Sequence, residues 1–226
     1  MVDNAGRHEV LVFDANLRRI QTIPNVGYRP HKTLYADGRF YVMSSQTQTI
    51  YCYQKLNGLL VELYHKTLSF LGNSYCRSIK VIDGYMYFVS GSNQIFVTNY
   101  ISGNFEVVES FDITNDFTGL IDIDKYNGMY YLSSMGDDRY SITPNIVKST
   151  SLTELSQGNY TSLYSEFGLG GFPYFMEIHD GIMYFTEVGE SKNSILSLDT
   201  NDSLTAYHEF NELLPGSIIR RELYPR

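Results

Sequence analysis

A short signature recurs along the chain and constrains its fold more than any other feature: Asp-Gly or Asn-Gly, two further residues, then Tyr. It occurs at Asp37-Gly38 to Tyr41, Asp83-Gly84 to Tyr87, Asn127-Gly128 to Tyr131 and Asp180-Gly181 to Tyr184, at spacings of 46, 44 and 53 residues. Asp-Gly and Asn-Gly supply the two positive-φ positions of a type I′ turn, whose twist matches that of the antiparallel strands it joins. Each copy is therefore expected to be a hairpin. The flanking segments are of strand length and strand composition, as in HKTLYA then RFYVMS, RSIKVI then YMYFVS, and YFMEIH then IMYFTE. These are strands A and B of a repeating unit.

After each B strand comes a polar turn (SSQTQT, SGSNQ, SMGDDR, VGESKN), then a third strand C such as TIYCY, QIFVT or SILSL. A further turn (KLNG, ISGN, DTNDS) leads to strand D, as in LLVELYH or NFEVVESF. Four antiparallel strands repeated at this period describe the blade of a β-propeller. Composition agrees: 20 Tyr and 13 Phe beside only four Ala favour strands over a helical bundle.

The N-terminal stretch EVLVFDANLRRIQTI matches the C–D pair SILSLDTNDSLTAYHEF, and SIIRRELY near the C-terminus reads as a further A strand. The tally is five A, four B, five C and five D strands. The expected fold is all-β: one domain over residues 1–226, a five-bladed β-propeller of four-stranded antiparallel blades. The N- and C-terminal strands share the closing blade, which is one B strand short. Either the chain was trimmed from a longer protein or that blade has three strands.

The pattern DGxxYxxx…I, as in DGYMYFVSGSNQIFV and DGIMYFTEVGESKNSIL, resembles the blades of NHL-type and YVTN-type propellers over nearly the whole chain. The resemblance implies the fold and leaves function open, because that architecture hosts enzymes, sugar binders and interaction platforms alike. The chain departs from the calcium-dependent lactonase propellers, whose Glu, Asn, Asn and Asp ligands have no matching set here.

The net charge of −8, with no Lys or Arg cluster longer than a pair, argues against nucleic acid and anionic membrane as partners. There is no G-x-S-x-G, H-E-x-x-H, P-loop or dinucleotide fingerprint. The five histidines His8, His31, His65, His179 and His208 fall at different places in the repeat, so neither a metal nor a cofactor is implied. Asp199-Thr200-Asn201-Asp202 resembles the start of a calcium loop but lacks the following Gly and distal Glu. Asx-turn chemistry accounts for it and for its counterpart Asp14-Ala15-Asn16. Cys52 and Cys76 read as buried free thiols. No apolar run is long enough to span a membrane, residues 1–8 lack a signal-peptide core, and the sequons at Asn159 and Asn201 decide nothing. Both a cytosolic location and an extracytoplasmic one after leader removal stay open.

In a propeller, ligands sit at the mouth of the central channel, where the inner A strands begin. Counting back six residues from each turn gives His31, Arg77, Ile121 and Tyr174, with Arg220 by alignment of Tyr224 to Tyr35. Counting back eight gives Arg29, Tyr75, Gly119, Phe172 and Ile218. In the third unit Asp122 is an alternative to Ile121. The candidate site is thus Arg29, His31, Tyr75, Arg77, Asp122, Tyr174, Glu177 and Arg220. Arg forks suit carboxylate or phosphate and Tyr adds flat hydrogen-bonding surface, so one reading is a pocket for a small anionic or polyhydroxy ligand: a sugar acid, a phosphorylated compound or a peptide carboxylate. The competing reading pairs these arginines with Asp122, Asp124 and Glu177 as ties between blades.

Two further functions stay open: a protein-interaction scaffold, and a hydrolase or lyase acting on a glycan or lactone, with His31 as base, Arg77 as clamp and Asp122 or Glu177 as acid. The long third interval, STSLTELSQGNYTSLYSEFGLGG, is either a specificity loop or a longer outer hairpin.

Overall fold

In a computed structural model of the chain, the Asp-Gly and Asn-Gly hairpins form as their local chemistry dictates. Asp37 and Gly38 have φ of 48° and 74°, Asp83 and Gly84 50° and 82°, and Asn127 and Gly128 48° and 78°, two consecutive left-handed residues each time. The structure describes residues 2–4, 6–113, 117–136, 145–163, 172–179, 182–188, 193–198 and 204–210. The turn at Asp180-Gly181, the Asp199 turn, Gly168, Gly170 and Gly171, and the expected C-terminal A strand with Ile218 and Arg220 lie outside them. Among the described residues the chain is nearly all β, and no helix is long and apolar enough to cross a membrane.

The chain divides into two compact units, residues 1–79 with 215–226 and residues 80–214. In the first, β1 (Val2–Asn4), β2 (Glu9–Phe13) and β3 (Arg19–Ile23) form a three-stranded antiparallel sheet in that order. β4 (Pro30–Ala36), β5 (Arg39–Ser44), β6 (Thr49–Leu56) and β7 (Leu59–Thr67) form a four-stranded one, followed by a 3-10 turn at Ser69–Leu71. β2 and β3 are the expected C and D strands, and the Asx turn between them is present. Asp14 Oδ1 accepts the backbone N–H groups of Asn16 and Arg18, both at 2.9 Å.

β1 is a strand that the sequence reading did not assign. It pairs antiparallel with β2, with Asp3 opposite Val10. Three residues show too little periodicity to register as a strand.

The two sheets of this unit enclose a core of Val10, Val12, Val26, Val42, Tyr53 and Leu60. The Gln21 side chain on β3 clasps the backbone of β7: Nε2 donates to the Leu60 carbonyl and Oε1 accepts the Leu60 N–H, both at 2.8 Å. β7 is the edge of its sheet, and the clasp occupies outward-facing groups that another chain would otherwise pair. Cys52 and Cys76 are both buried thiols not joined in a disulfide, and burial pushes the Cys52 thiol pKa up, which keeps it inert.

β8 (Cys76–Ile82) runs across the division. With β9 (Tyr85–Ser90), β10 (Gln94–Asn99) and β11 (Glu106–Asp112) it forms a sheet in the order β11-β10-β9-β8. β12 (Leu120–Tyr126), β13 (Met129–Ser134), β14 (Asn145–Ser149) and β15 (Thr161–Ser162) form the next, and β16 (Phe172–His179), β17 (Ile182–Val188), β18 (Asn193–Leu198) and β19 (Leu204–Phe210) the last. In the second unit, Val89, Ile95 and Val97 of one sheet pack with Ile123, Leu132 and Val147 of the next. Tyr131 and Ile146 pack in turn with Met176, Met183 and Phe185. Inner and middle strands such as β9 and β12 are buried almost throughout, whereas the outer strands β7 and β11 are mostly exposed.

The described part of the long third interval is a hairpin of β14 and β15 interrupted by a short helix, α1 (Leu152–Ser156). Ser151 Oγ accepts the Glu154 N–H at 3.1 Å, an N-cap of the Ser-x-x-Glu type, and Leu152 and Leu155 are buried. That cap signal stands in the sequence; the strand-by-strand reading passed over it.

Three A strands share a bulge. The register slips between Pro30 and Lys32 in β4, between Leu120 and Asp122 in β12, and between Pro173 and Met176 in β16. His31, Ile121 and Tyr174, the residues six before each turn, fall at these slips. A bulge re-aims a side chain, so the repeat itself sets that position apart.

Candidate functional site

The described candidates fall into two clusters, one in each unit. In the first unit, three side chains gather on Tyr75. Arg29 Nη1 donates to the Tyr75 hydroxyl at 2.9 Å, the Arg77 guanidinium carbon lies 5.2 Å from the centre of the Tyr75 ring, and the His31 ring meets it edge-on at 6.1 Å. β4 carries His31 on its bulge, β8 carries Arg77, and Arg29 and Tyr75 stand in the connections that precede these strands. Among the described residues neither Arg29 nor Arg77 makes an ion pair. The hydrogen bond to Tyr75, followed by the charge of that phenol, raises the Arg29 pKa further and keeps the group cationic.

Arg29 has φ of 60°. Its counterpart eight residues before the third turn is Gly119, with φ of 63°, and both segments make the same pair of hydrogen bonds. Ser45 and Gln46 donate to the carbonyls of Arg29 and Tyr28; Met135 and Gly136 donate to those of Gly119 and Thr118. The first and third units thus share a left-handed residue here, which the second unit, with Tyr75 at this position, lacks. Where the third unit uses glycine, the first uses arginine, directly before a proline that restricts its backbone further. Strain carried by a long cationic side chain in a glycine slot points to a use for that side chain.

In the second unit the carboxylates are already engaged. Asp122, fully buried, accepts the N–H of Ile123 on Oδ1 and that of Met176 on Oδ2, each at 2.9 Å, and so stitches β12 to β16. Ser133 Oγ accepts the Asp122 N–H at 3.1 Å and donates to the Tyr174 carbonyl at 2.8 Å, and the Tyr174 ring packs perpendicular to Phe175 at 4.6 Å. Each Asp122 oxygen accepts a backbone amide, so the carboxylate ties the two strands together.

Asp124 and Glu177 pair with Lys80, a residue the sequence reading did not single out. Lys80 Nζ lies 2.7 Å from Asp124 Oδ2 and 2.7 Å from Glu177 Oε2, and 3.5 Å from the Met176 carbonyl. The tie between strands that the sequence reading gave to arginines is thus made by lysine. Its signal was present: Lys80, Asp124 and Glu177 each stand three residues before their turns, and a lysine between Ile79 and Val81 interrupts an apolar run. Burial pulls the Lys80 pKa down, but Asp124, Glu177 and Asp122 more than reverse this and hold it charged. Burial, aided by the charge of Glu177, leaves the Asp124 carboxyl above its ordinary value despite Lys80. Among the described residues no group of three or more His, Cys, Asp or Glu is placed to hold a metal ion.

No family model and no curated protein matches the chain. Solved structures do resemble it. A Bacteroides caccae protein of unknown function has a TM-score of 0.61 at 11% identity, over 92% of this chain and 71% of that one. A Bacteroides uniformis protein provisionally described as a 6-phosphogluconolactonase has a TM-score of 0.57 at 11% identity, over 92% and 73%. A Lactobacillus plantarum protein has a TM-score of 0.57 at 11% identity over 90% of this chain; the chain spans 64% of its length. Identities this low speak for fold alone. The antiparallel four-stranded sheets and these likenesses are consistent with a β-propeller-like fold.

Proposed function

We propose that residues 1–226 form a single five-bladed β-propeller, its closing blade shared by N- and C-terminal strands, and that the protein is a non-catalytic binding module. The ligand is a small anionic or polyhydroxy compound held by Arg29, His31, Tyr75 and Arg77, with Arg220 as a further member of the ring. One observation carries the reading: two guanidiniums converge on one tyrosine in a protein of net charge −8, without a carboxylate on either among the described residues. Guanidinium forks left without a protein carboxylate suit a carboxylate or phosphate from outside.

Isothermal titration calorimetry with inorganic phosphate and gluconate tests this. Binding is expected, weakened about ten-fold or more by Arg77→Gln, as for loss of a charge-assisted contact. Equal affinity in wild type and variant, or no binding of either anion, overturns it.

A second reading follows from Lys80. Asp124 and Glu177 both touch its ammonium, so their contacting oxygens lie no more than twice 2.7 Å apart, and Glu177 keeps 61% side-chain exposure. A carboxyl with a raised pKa close to an accessible carboxylate is the arrangement of an acid and a nucleophile in glycoside hydrolysis. Turnover of aryl glycosides that disappears in Glu177→Gln would favour this hydrolase over the binding module.

A further inference from the structure

Tyr28 and His8 extend the cluster with a surface of different chemistry. Tyr28 is 44% exposed, and its ring lies 4.3 Å from that of His8 at an angle of 34°. The Tyr28 backbone is pinned from both sides. Its N–H donates to Thr47 Oγ1 at 3.3 Å, Thr47 Oγ1 donates to Ser44 Oγ at 2.9 Å, and Ser44 Oγ donates to the Tyr28 carbonyl at 2.9 Å. The preceding Gly27 makes this approach possible, since a Cβ there would stand 2.3 Å from Ser44 Oγ. The exposed ring is therefore mounted on a rigid base, which removes part of the ordering cost of binding.

The Arg29 N–H donates to His8 Nδ1 at 3.4 Å, which leaves Nε2 as the other ring nitrogen, available as a donor or acceptor. The platform is thus an aromatic face rimmed by the Tyr28 hydroxyl and an imidazole nitrogen. It adjoins the anion anchor, because Tyr28 and Arg29 are consecutive residues with Cα atoms about 3.8 Å apart. The Tyr28 phenol also acts electrostatically on the Arg29 guanidinium.

We infer that the ligand is a sugar bearing a phosphate or carboxylate: its ring lies on Tyr28 and His8, and its anionic group is held by Arg29 and Arg77. This rests on the anion-binding reading and narrows it. A hexose has C–H faces that match an aromatic plane and hydroxyls that match the polar rim. Its exocyclic anion is directed toward the guanidinium of the adjoining residue, Arg29. A bare anion would use the guanidiniums and leave the pinned platform idle.

The test is calorimetric titration of wild type and Tyr28→Ala with inorganic phosphate, glucose 6-phosphate, glucuronate and AMP, with melting curves to verify folding. Glucose 6-phosphate or glucuronate is expected to bind at least ten-fold more tightly than phosphate, and Tyr28→Ala to abolish that advantage while leaving phosphate affinity unchanged. Which of the two sugars binds better separates phosphate from carboxylate. If phosphate binds but neither sugar gains over it, or the gain survives Tyr28→Ala, the inference falls and the anion site stands. If AMP gains more than the sugars through Tyr28, the ring is a base and the inference falls. If none of the four binds, both readings fall together.

Discussion

Replacing Arg29 by glycine and by alanine separates what its backbone costs from what its side chain does. Both variants lose the guanidinium and its hydrogen bond to Tyr75, and they differ only in the Cβ carried at φ of 60°. A Cβ in the left-handed region costs about 1–2 kcal/mol. Glycine gives back part of that, roughly 0.4–1 kcal/mol, because its unfolded chain is freer. Arg29→Gly should therefore be more stable than Arg29→Ala by up to about 1.6 kcal/mol, or up to about 3–6 °C in Tm for a chain of this length. Urea denaturation and thermal melting of the two variants give the difference, and calorimetry with phosphate gives the function. Anion affinity should drop alike in both. An alanine variant as stable as the glycine one would show that the backbone is not strained there. A variant that still bound phosphate with wild-type affinity would show that the strain is not kept for a ligand.

Other outcomes follow from the packing. Gln21→Ala removes both halves of the clasp on Leu60 and should cost about 1–3 kcal/mol in urea denaturation, as for two polar groups left without partners. Light scattering should also show more self-association, since the β7 edge is uncovered. Lys80→Met strands a buried carboxylate at Asp124 and should cost about 3–5 kcal/mol, with much of it recovered in Lys80→Met/Asp124→Leu; a single variant of wild-type stability would count against the network. The pKa of Asp124 is raised on folding, so its contribution is full below the ordinary value of 3.8 and is lost as pH rises through the folded value. The stability of wild type relative to Asp124→Asn should accordingly fall over that window. Lys80 is also raised, and its contribution should persist until pH climbs past 10.5 and through its folded value. Ser151→Ala should cost about 1 kcal/mol in thermal melting through loss of the α1 cap.

Much of the architecture is local chemistry and is legible residue by residue. Asp37-Gly38, Asp83-Gly84 and Asn127-Gly128 form their turns because adjacent left-handed residues are easiest for Asp, Asn and Gly, whatever surrounds them. From those turns the strands and the A–B–C–D order follow. So does the position six residues back, where Arg77 stands and where His31 and Tyr174 fall at bulges. The strand at Val2–Asn4 did not show itself, because pairing with β2 rather than any periodicity of its own makes it a strand.

What gathers at a site depends on packing between segments far apart in the chain. Arg29 meets Tyr75 across 46 positions and Lys80 meets Glu177 across 97, and no local pattern states such distances. The repeat placed Arg29, His31, Tyr75 and Arg77 at related heights, but only the tertiary structure drew them onto one ring. The same structure assigned Asp122 to backbone amides and Asp124 and Glu177 to Lys80. The physical reason is that hydrogen bonds and ion pairs are decided by distances of a few ångströms, whereas turn propensity is decided by the φ and ψ of two neighbouring residues.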